Sequence, residues 1–221
     1  QRVASPSVAL RVLLIYPPYG LEQRARHFPV GLAYVAAALR DAGHDVRVVD
    51  MEGEGLDLAA AARRIAQHPA DLVGIGGMIT RYAWVKKLVP VIRAAMPKAF
   101  ILAGNSGAAT VPHLYLQRAG VDACCLGEGE IPAVRLAQEL EAGRNALAVA
   151  GLAYLTDGAV VSTGPAPRVD DPSTLPRPAW DLFPLERYIT SPDHRRPGCR
   201  HFDVVASRGC PYDCTFCYRV Y

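Results

Sequence analysis

The feature that most constrains this 221-residue chain is an alternation: short apolar runs and helix-length segments follow one another five times. Residues 8–16 are nearly all apolar, with one arginine, and predict a strand buried on both faces. The run stops at Pro17-Pro18, which cannot extend a ladder. After a loop, residues 30–42 put Leu32, Val35, Ala36 and Leu39 at helical spacing, with Gly43 as the stop. Asp45–Asp50 predicts a second strand. Helices are predicted at 58–67, Tyr82–Ala95 (with Pro90 inside), 111–119 and 131–142, and strands at 71–75, Phe100–Ala103 and 123–126.

Five βα units in series predict a doubly wound α/β fold, a five-stranded parallel sheet of Rossmann or flavodoxin-like type over residues 8–145. Ligands of such sheets bind beyond the C-terminal strand ends. Glycine concentrates there: Gly76-Gly77 after strand three, Gly104-Asn105-Ser106-Gly107 after strand four, Gly127-Glu128-Gly129-Glu130 after strand five. Any one of these loops reads as a tight turn. Three on one rim point to a surface where a ligand approaches backbone closely. A dinucleotide site needs G-x-G-x-x-G after strand one. The sequence there is Tyr16-Pro17-Pro18-Tyr19-Gly20, which argues against NAD or FAD.

After Gly143 the pattern changes. Residues 152–155 and Ala159–Ser162, around Asp157-Gly158, predict a hairpin. Residues 165–178 are proline-rich and predict an extended linker, so 146–200 is read as hairpin plus linker. Trp180, Leu182 and Phe183 suit a clamp between domains. Residues 202–206 predict the first strand of a second domain, beginning at 201. Then comes Ser207-Arg208-Gly209-Cys210-Pro211-Tyr212-Asp213-Cys214-Thr215-Phe216-Cys217. Three thiolates this close can converge on one 4Fe–4S cluster, which normally takes four cysteines, so one iron is left open. The alternative is a zinc site with Cys199 as fourth ligand, although zinc sites usually pair two C-x2-C units. A disulfide framework suits a chain this large poorly.

The C-x3-C-x2-C spacing, with an aromatic before the last cysteine, resembles the signature of radical S-adenosylmethionine enzymes. The ordered set Tyr16-Pro17-Pro18, Pro29-Val30-Gly31-Leu32, Gly43-His44-Asp45-Val46, Asp71-Leu72-Val73-Gly74-Ile75, Ala103-Gly104-Asn105, Gly120-Val121-Asp122 and Gly127-Glu128-Gly129-Glu130 resembles the branch in which a cobalamin-binding domain precedes the radical domain. The resemblance implies that Cys210, Cys214 and Cys217 hold the cluster, that its open iron binds S-adenosylmethionine, and that Phe216 lies by the adenine. It implies a corrin held by Tyr16, Pro17, Pro18, Gly20, Gly76, Gly77, Met78, Thr80, Gly104, Asn105, Ser106, Gly127, Glu128, Gly129 and Glu130. Glu128 and Glu130 fit equally as acceptors for corrin amides and as helix-capping carboxylates. The Asp-x-His-x-x-Gly motif that ligates cobalt elsewhere is absent, which implies base-off cobalamin with no protein histidine on the metal. His44 reads as a surface or edge residue, His113 as a packing or solvent residue, and Cys124 and Cys125 as core thiols.

The implied activity is methyl transfer to an unactivated carbon, through a 5′-deoxyadenosyl radical and methylcobalamin. A cyclase or rearrangement enzyme fits the same motifs. A non-catalytic cobalamin carrier has no use for the cysteines, and a ferredoxin-like carrier lacks a clear fourth ligand. The implied partners are a small-molecule substrate and an electron donor such as flavodoxin or ferredoxin. Residues 201–221 supply only the start of a radical barrel, so activity is expected of a longer parent chain. Net charge is only +3, which gives no bulk electrostatic reason for nucleic-acid binding. No apolar run reaches a membrane span, residues 1–7 lack a signal-peptide core, and the cysteine usage suits a reducing cytoplasm.

Overall fold

The computed structural model describes residues 9–19, 27–189, 200–210, 212 and 214–216. Five parallel strands form as the alternation predicts: β1 (Arg11–Tyr16), β2 (Asp45–Asp50), β3 (Leu72–Ile75), β4 (Phe100–Ala103) and β5 (Ala123–Cys125). Their spatial order is β2-β1-β3-β4-β5. Tyr16 lies opposite Asp50, Ile15 opposite Ile75, and Ile75 opposite Ala103, so the C-terminal ends of β1 to β4 form one edge. Connections leave to opposite faces from β1 and β3, so a crevice opens between their C-terminal ends.

Helices α1 (Val30–Asp41), α2 (Met51–Glu54), α3 (Leu58–Ala66), α4 (Tyr82–Ala95), α5 (Asn105–Thr110), α6 (Glu130–Glu141) and α7 (Leu185–Ile189) complete the fold. Two buried layers follow from the pleat. Leu13, Ile15, Val73 and Ile101 face Ala61 and Ile65 of α3 and Val85, Leu88 and Ile92 of α4. Val12, Leu14, Leu72 and Leu102 face Ala36 and Leu39 of α1 and Leu136 and Ala137 of α6. Alternate residues of β1, β3 and β4 thus feed opposite cores, which is why these strands are almost wholly apolar, whereas β2 at the sheet's edge exposes Asp45 and Arg47. Helix α4 continues through Pro90 on its exposed side.

The structure corrects three expectations and refines others. The hairpin β6 (Leu152–Thr156) and β7 (Ala159–Ser162) forms with Asp157 and Gly158 at positive φ, but it does not stand apart from the sheet. Strand β6 pairs antiparallel with β5, Cys125 opposite Leu152, so the sheet has seven strands. An open edge at β5 leaves backbone groups unpaired, and the hairpin satisfies them. The proline-rich linker forms and lies against the domain: Val169 N donates to Glu128 Oε2 at 3.0 Å, and just beyond the linker Ala179 N donates to Ala33 O at 3.0 Å and Arg40 pairs with Asp181 at 2.6 Å. Residues 105–110, expected as loop, are helical, and the helix expected at 111–119 forms over residues 112–119, with a π-helical course from Leu114 to Ala119. Residues 202–206 are not a strand, because no described residue offers them a ladder. Phe202 packs instead among Phe28 and Trp180, with Phe183 on the other side of Phe28.

Candidate functional site

Residues expected to hold a ligand do gather on the edge where β1, β3, β4 and β5 end, but their exposure differs. Met78, Thr80 and Asn105 are exposed, with Tyr19 and Ile79 beside them. Tyr16, Gly76, Gly104, Ser106, Gly127, Glu128 and Gly129 are half-buried, and Pro17, Pro18, Gly77 and Glu130 are buried. Gly20 lies outside the described residues.

Close approach explains most of the rim glycines from within the protein. A Cβ at Gly77 would meet Arg81 Cδ at 2.6 Å, one at Gly127 would meet Ala166 Cβ at 2.7 Å, and one at Gly129 would meet Val35 at 3.0 Å. A Cβ at Gly107 would meet the Tyr115 hydroxyl at 2.4 Å and the Ile79 amide nitrogen at 2.9 Å. Gly104 differs: a Cβ there meets nothing within 4 Å. Its backbone, leading into Asn105 at φ 74°, faces open space where β4 ends. The Tyr115 hydroxyl, buried beneath this rim, has no hydrogen-bond partner among the described residues. Neither of the two main cavities lies here. The one of about 350 Å³ is at the opposite end of the sheet, beside Arg11 and His68. The other, about 300 Å³, lies between Tyr34, Trp180 and Asp203.

Sequence reasoning missed a buried polar network beneath the β1 and β2 side of this edge. Arg81 pairs with Glu52 at 2.6 Å, each about 95% removed from solvent. The same guanidinium donates to Pro17 O and, at 2.8 Å, to the Tyr16 hydroxyl, and it lies 4.0 Å above the Tyr16 ring. Glu52 also accepts from Tyr19 N at 3.1 Å. Next to it, Asp50 accepts from Gly53 N at 2.9 Å and from the Tyr188 hydroxyl at 2.6 Å. Burial pushes the Asp50 carboxyl up to about 6, against the hydrogen bonds that pull it down. Burial likewise raises the Tyr16 and Tyr188 phenols. Gly53 makes the packing possible, since a Cβ there would strike Asp50, Pro184 and Tyr188 within 3 Å. The legible signal was Asp50 at the end of an apolar strand, where an acid seldom sits without a partner.

The β5 side carries a second polar cluster. Arg208, from the Ser207-Arg208-Gly209 turn, donates to Glu130 Oε1 at 2.6 Å and stands 3.6 Å from Glu128 Oε1. Its guanidinium lies 4.9 Å from the Tyr34 ring centre. Glu128 Oε2 accepts from Val169 N at 3.0 Å. Both expected corrin acceptors are therefore engaged by the chain itself. Cys210 and Cys214 are free and exposed, and Phe216 is 91% exposed. Cys199 and Cys217 lie outside the described residues, and no set of three metal-ligating side chains gathers among those described. Cys124 and Cys125 are buried, and burial lifts the Cys124 thiol to about 12, as core thiols should behave. His113 is exposed, but His44, expected at the surface, is buried with neither ring nitrogen bonded among the described residues. No described helix is long and apolar enough to cross a membrane.

Comparison with known proteins matches residues 18–137 to the B12 binding domain. The chain is 28% identical over 215 residues to an uncharacterised methyltransferase of Pyrococcus horikoshii, covering 94% of this chain and 45% of that one. It is 29% identical over 217 residues to the anaerobic magnesium-protoporphyrin IX monomethyl ester cyclase of Rubrivivax gelatinosus, covering 94% of this chain and 38% of the other. The chain thus spans less than half the length of these relatives. Among solved structures it resembles the radical S-adenosylmethionine methyltransferase TsrM from Kitasatospora setae, with cobalamin and a [4Fe-4S] cluster bound. The TM-score is 0.63 and the identity 22%, over 77% of this chain and 31% of that one, which is a likeness of fold.

Proposed function

Because this chain belongs to the B12 binding domain family, we propose that it is the cobalamin-binding portion, with the start of the cluster-binding segment, of a cobalamin-dependent radical S-adenosylmethionine methyltransferase. The observation that carries this is one of order and place. A sheet whose C-terminal edge is open at Gly104 is followed by a C-x3-C-x2-C triplet, and the turn just before that triplet docks on the same edge through Arg208.

Cobalamin fits this edge. Tyr16, Gly76, Met78, Thr80, Gly104, Asn105 and Ser106 offer a face of backbone and small or apolar side chains, and the unpartnered Tyr115 hydroxyl lies below it. Pro17, Pro18 and Gly77 shape that face from beneath. His44, just before β2, and His68, beside the cavity there, lie at the far end of the sheet, so neither faces this edge, in keeping with base-off cobalamin. Cys210 and Cys214, free and exposed, suit cluster ligation with Cys217, and Phe216 suits contact with the adenosyl group. When bound, the cluster with S-adenosylmethionine supplies a radical that removes hydrogen from carbon, and cobalamin supplies the methyl group. The chain's own part is to hold the edge rigid through Arg81 and Glu52, to cover the α1 and α6 face with residues 165–183, and to present the cluster segment beside the rim. The partners proposed are a small-molecule substrate and a flavodoxin- or ferredoxin-type electron donor. A second reading, cyclisation, is favoured by the likeness to the Rubrivivax cyclase.

Anaerobic titration of the chain with hydroxocobalamin, followed by reduction, tests the reading. Uptake of one equivalent with a base-off spectrum is the expected result. Gly104→Val should weaken uptake at least about tenfold without lowering folding stability, since the added group enters open space where the ligand would lie. Absence of corrin uptake by the unaltered chain would overturn the proposal.

A further inference from the structure

Glu128 and Glu130 were expected to face a corrin, yet each is turned to the segment that carries the cysteines. Arg208 is held from three sides: by Glu130 at 2.6 Å, by Glu128 at 3.6 Å, and by the face of Tyr34 from α1. Glu130 is 4% exposed and opens α6, whose N-terminal N–H groups favour its negative charge. Glu128 bridges two strands of chain, Arg208 through one oxygen and the amide of Val169 through the other. Gly127 allows the linker this close, because any Cβ there would strike Ala166. A charge-assisted contact of this kind, partly shielded from water, fixes orientation as well as distance. Arg208 is followed by Gly209 at φ 77° and then Cys210, so little slack separates the anchored guanidinium from the first cysteine.

We infer that Arg208 is a positioning residue: with Glu128, Glu130 and Tyr34 it latches the cysteine loop to the β5 edge, and so sets the cluster's place relative to the corrin. This rests on the function proposed above for its second half; the latch itself does not. Lysine replaces it only in part, since an ammonium keeps the charge but lacks the planar fork that reaches two carboxylates while lying on a ring.

Two measurements separate the parts. Amide hydrogen exchange on the whole chain reads the latch without any cofactor. Arg208→Ala should speed exchange at residues 127–131 and 165–170 about tenfold, and Arg208→Lys should do so less. Exchange unchanged in Arg208→Ala would overturn the latch. Pulsed electron-spin distance measurement between cob(II)alamin and the reduced cluster then reads positioning. Arg208→Ala and Arg208→Lys should keep full iron and cobalamin content but broaden the distance distribution; a distribution as narrow as that of the unaltered protein would overturn the positioning role. If the unaltered chain takes up neither cofactor, the proposed function fails, and the exchange result still decides the latch.

Discussion

The two halves of one sheet edge are held by different chemistry. Below β1 and β2, Arg81, Glu52 and Asp50 are buried and Tyr16 half-buried, and among the described residues Tyr188 is the partner from beyond the first three βα units. At β5 the partners are Glu128, Glu130 and Arg208, nearly eighty residues apart, and Arg208 is 20% exposed. A charge pair deep in the protein is costly to break, because each charge left behind has lost its water. A pair near the surface keeps access to solvent and to salt. The first half therefore behaves as part of the fold, and the second as a joint between the fold and the segment that follows it.

The comparison can be broken most sharply at Arg81. Arg81→Met leaves Glu52 buried without its counter-charge and the Pro17 carbonyl without a donor, so stability by chemical denaturation should fall by about 3–5 kcal/mol. Asp50 offers a test through pH. Its folded value, about 6, lies above the ordinary 3.8, so between these values the native protein keeps a proton that the unfolded chain has lost. Stability contributed by this group is present at low pH and is lost as pH rises through that window. Asp50→Asn should remove that slope, and the difference between the two proteins from pH 4 to pH 7 should amount to about 1–3 kcal/mol. A double-mutant cycle of Arg208→Ala with Glu130→Ala should give a smaller coupling, about 1 kcal/mol, that shrinks in high salt. Smallest is Arg11→Ala at the far end of the sheet. Its bidentate contact with Asp71 is exposed, and the unfolding midpoint should not move beyond experimental scatter. A coupling at Arg208 as large as the loss at Arg81 would erase the distinction drawn between the halves.

Much of this was legible before any coordinates. Short apolar strands, helices spaced by 3.6 and proline or glycine stops marked the five βα units to within one to three residues. Errors arose where an element depends on a neighbour. Residues 152–162 read correctly as a hairpin, but only the open edge of β5 made it part of the sheet. Residues 202–206 have the composition of a strand, yet a strand also needs a partner. At the rim, glycines that read as room for a ligand proved mostly to be room for Arg81, Ala166 and Val35, and among the described ones only Gly104 kept an open face.

By itself the sequence determined the periodicity, the order of the elements, the edge on which the glycine-bearing loops gather and the cysteine triplet, because each is written in local spacing. Tertiary structure decided which charges meet: Arg81 with Glu52, Asp50 with Tyr188, and Arg208 with Glu130. Pairings across thirty to one hundred and forty residues depend on where strands stack and how the chain returns, and no local pattern encodes that.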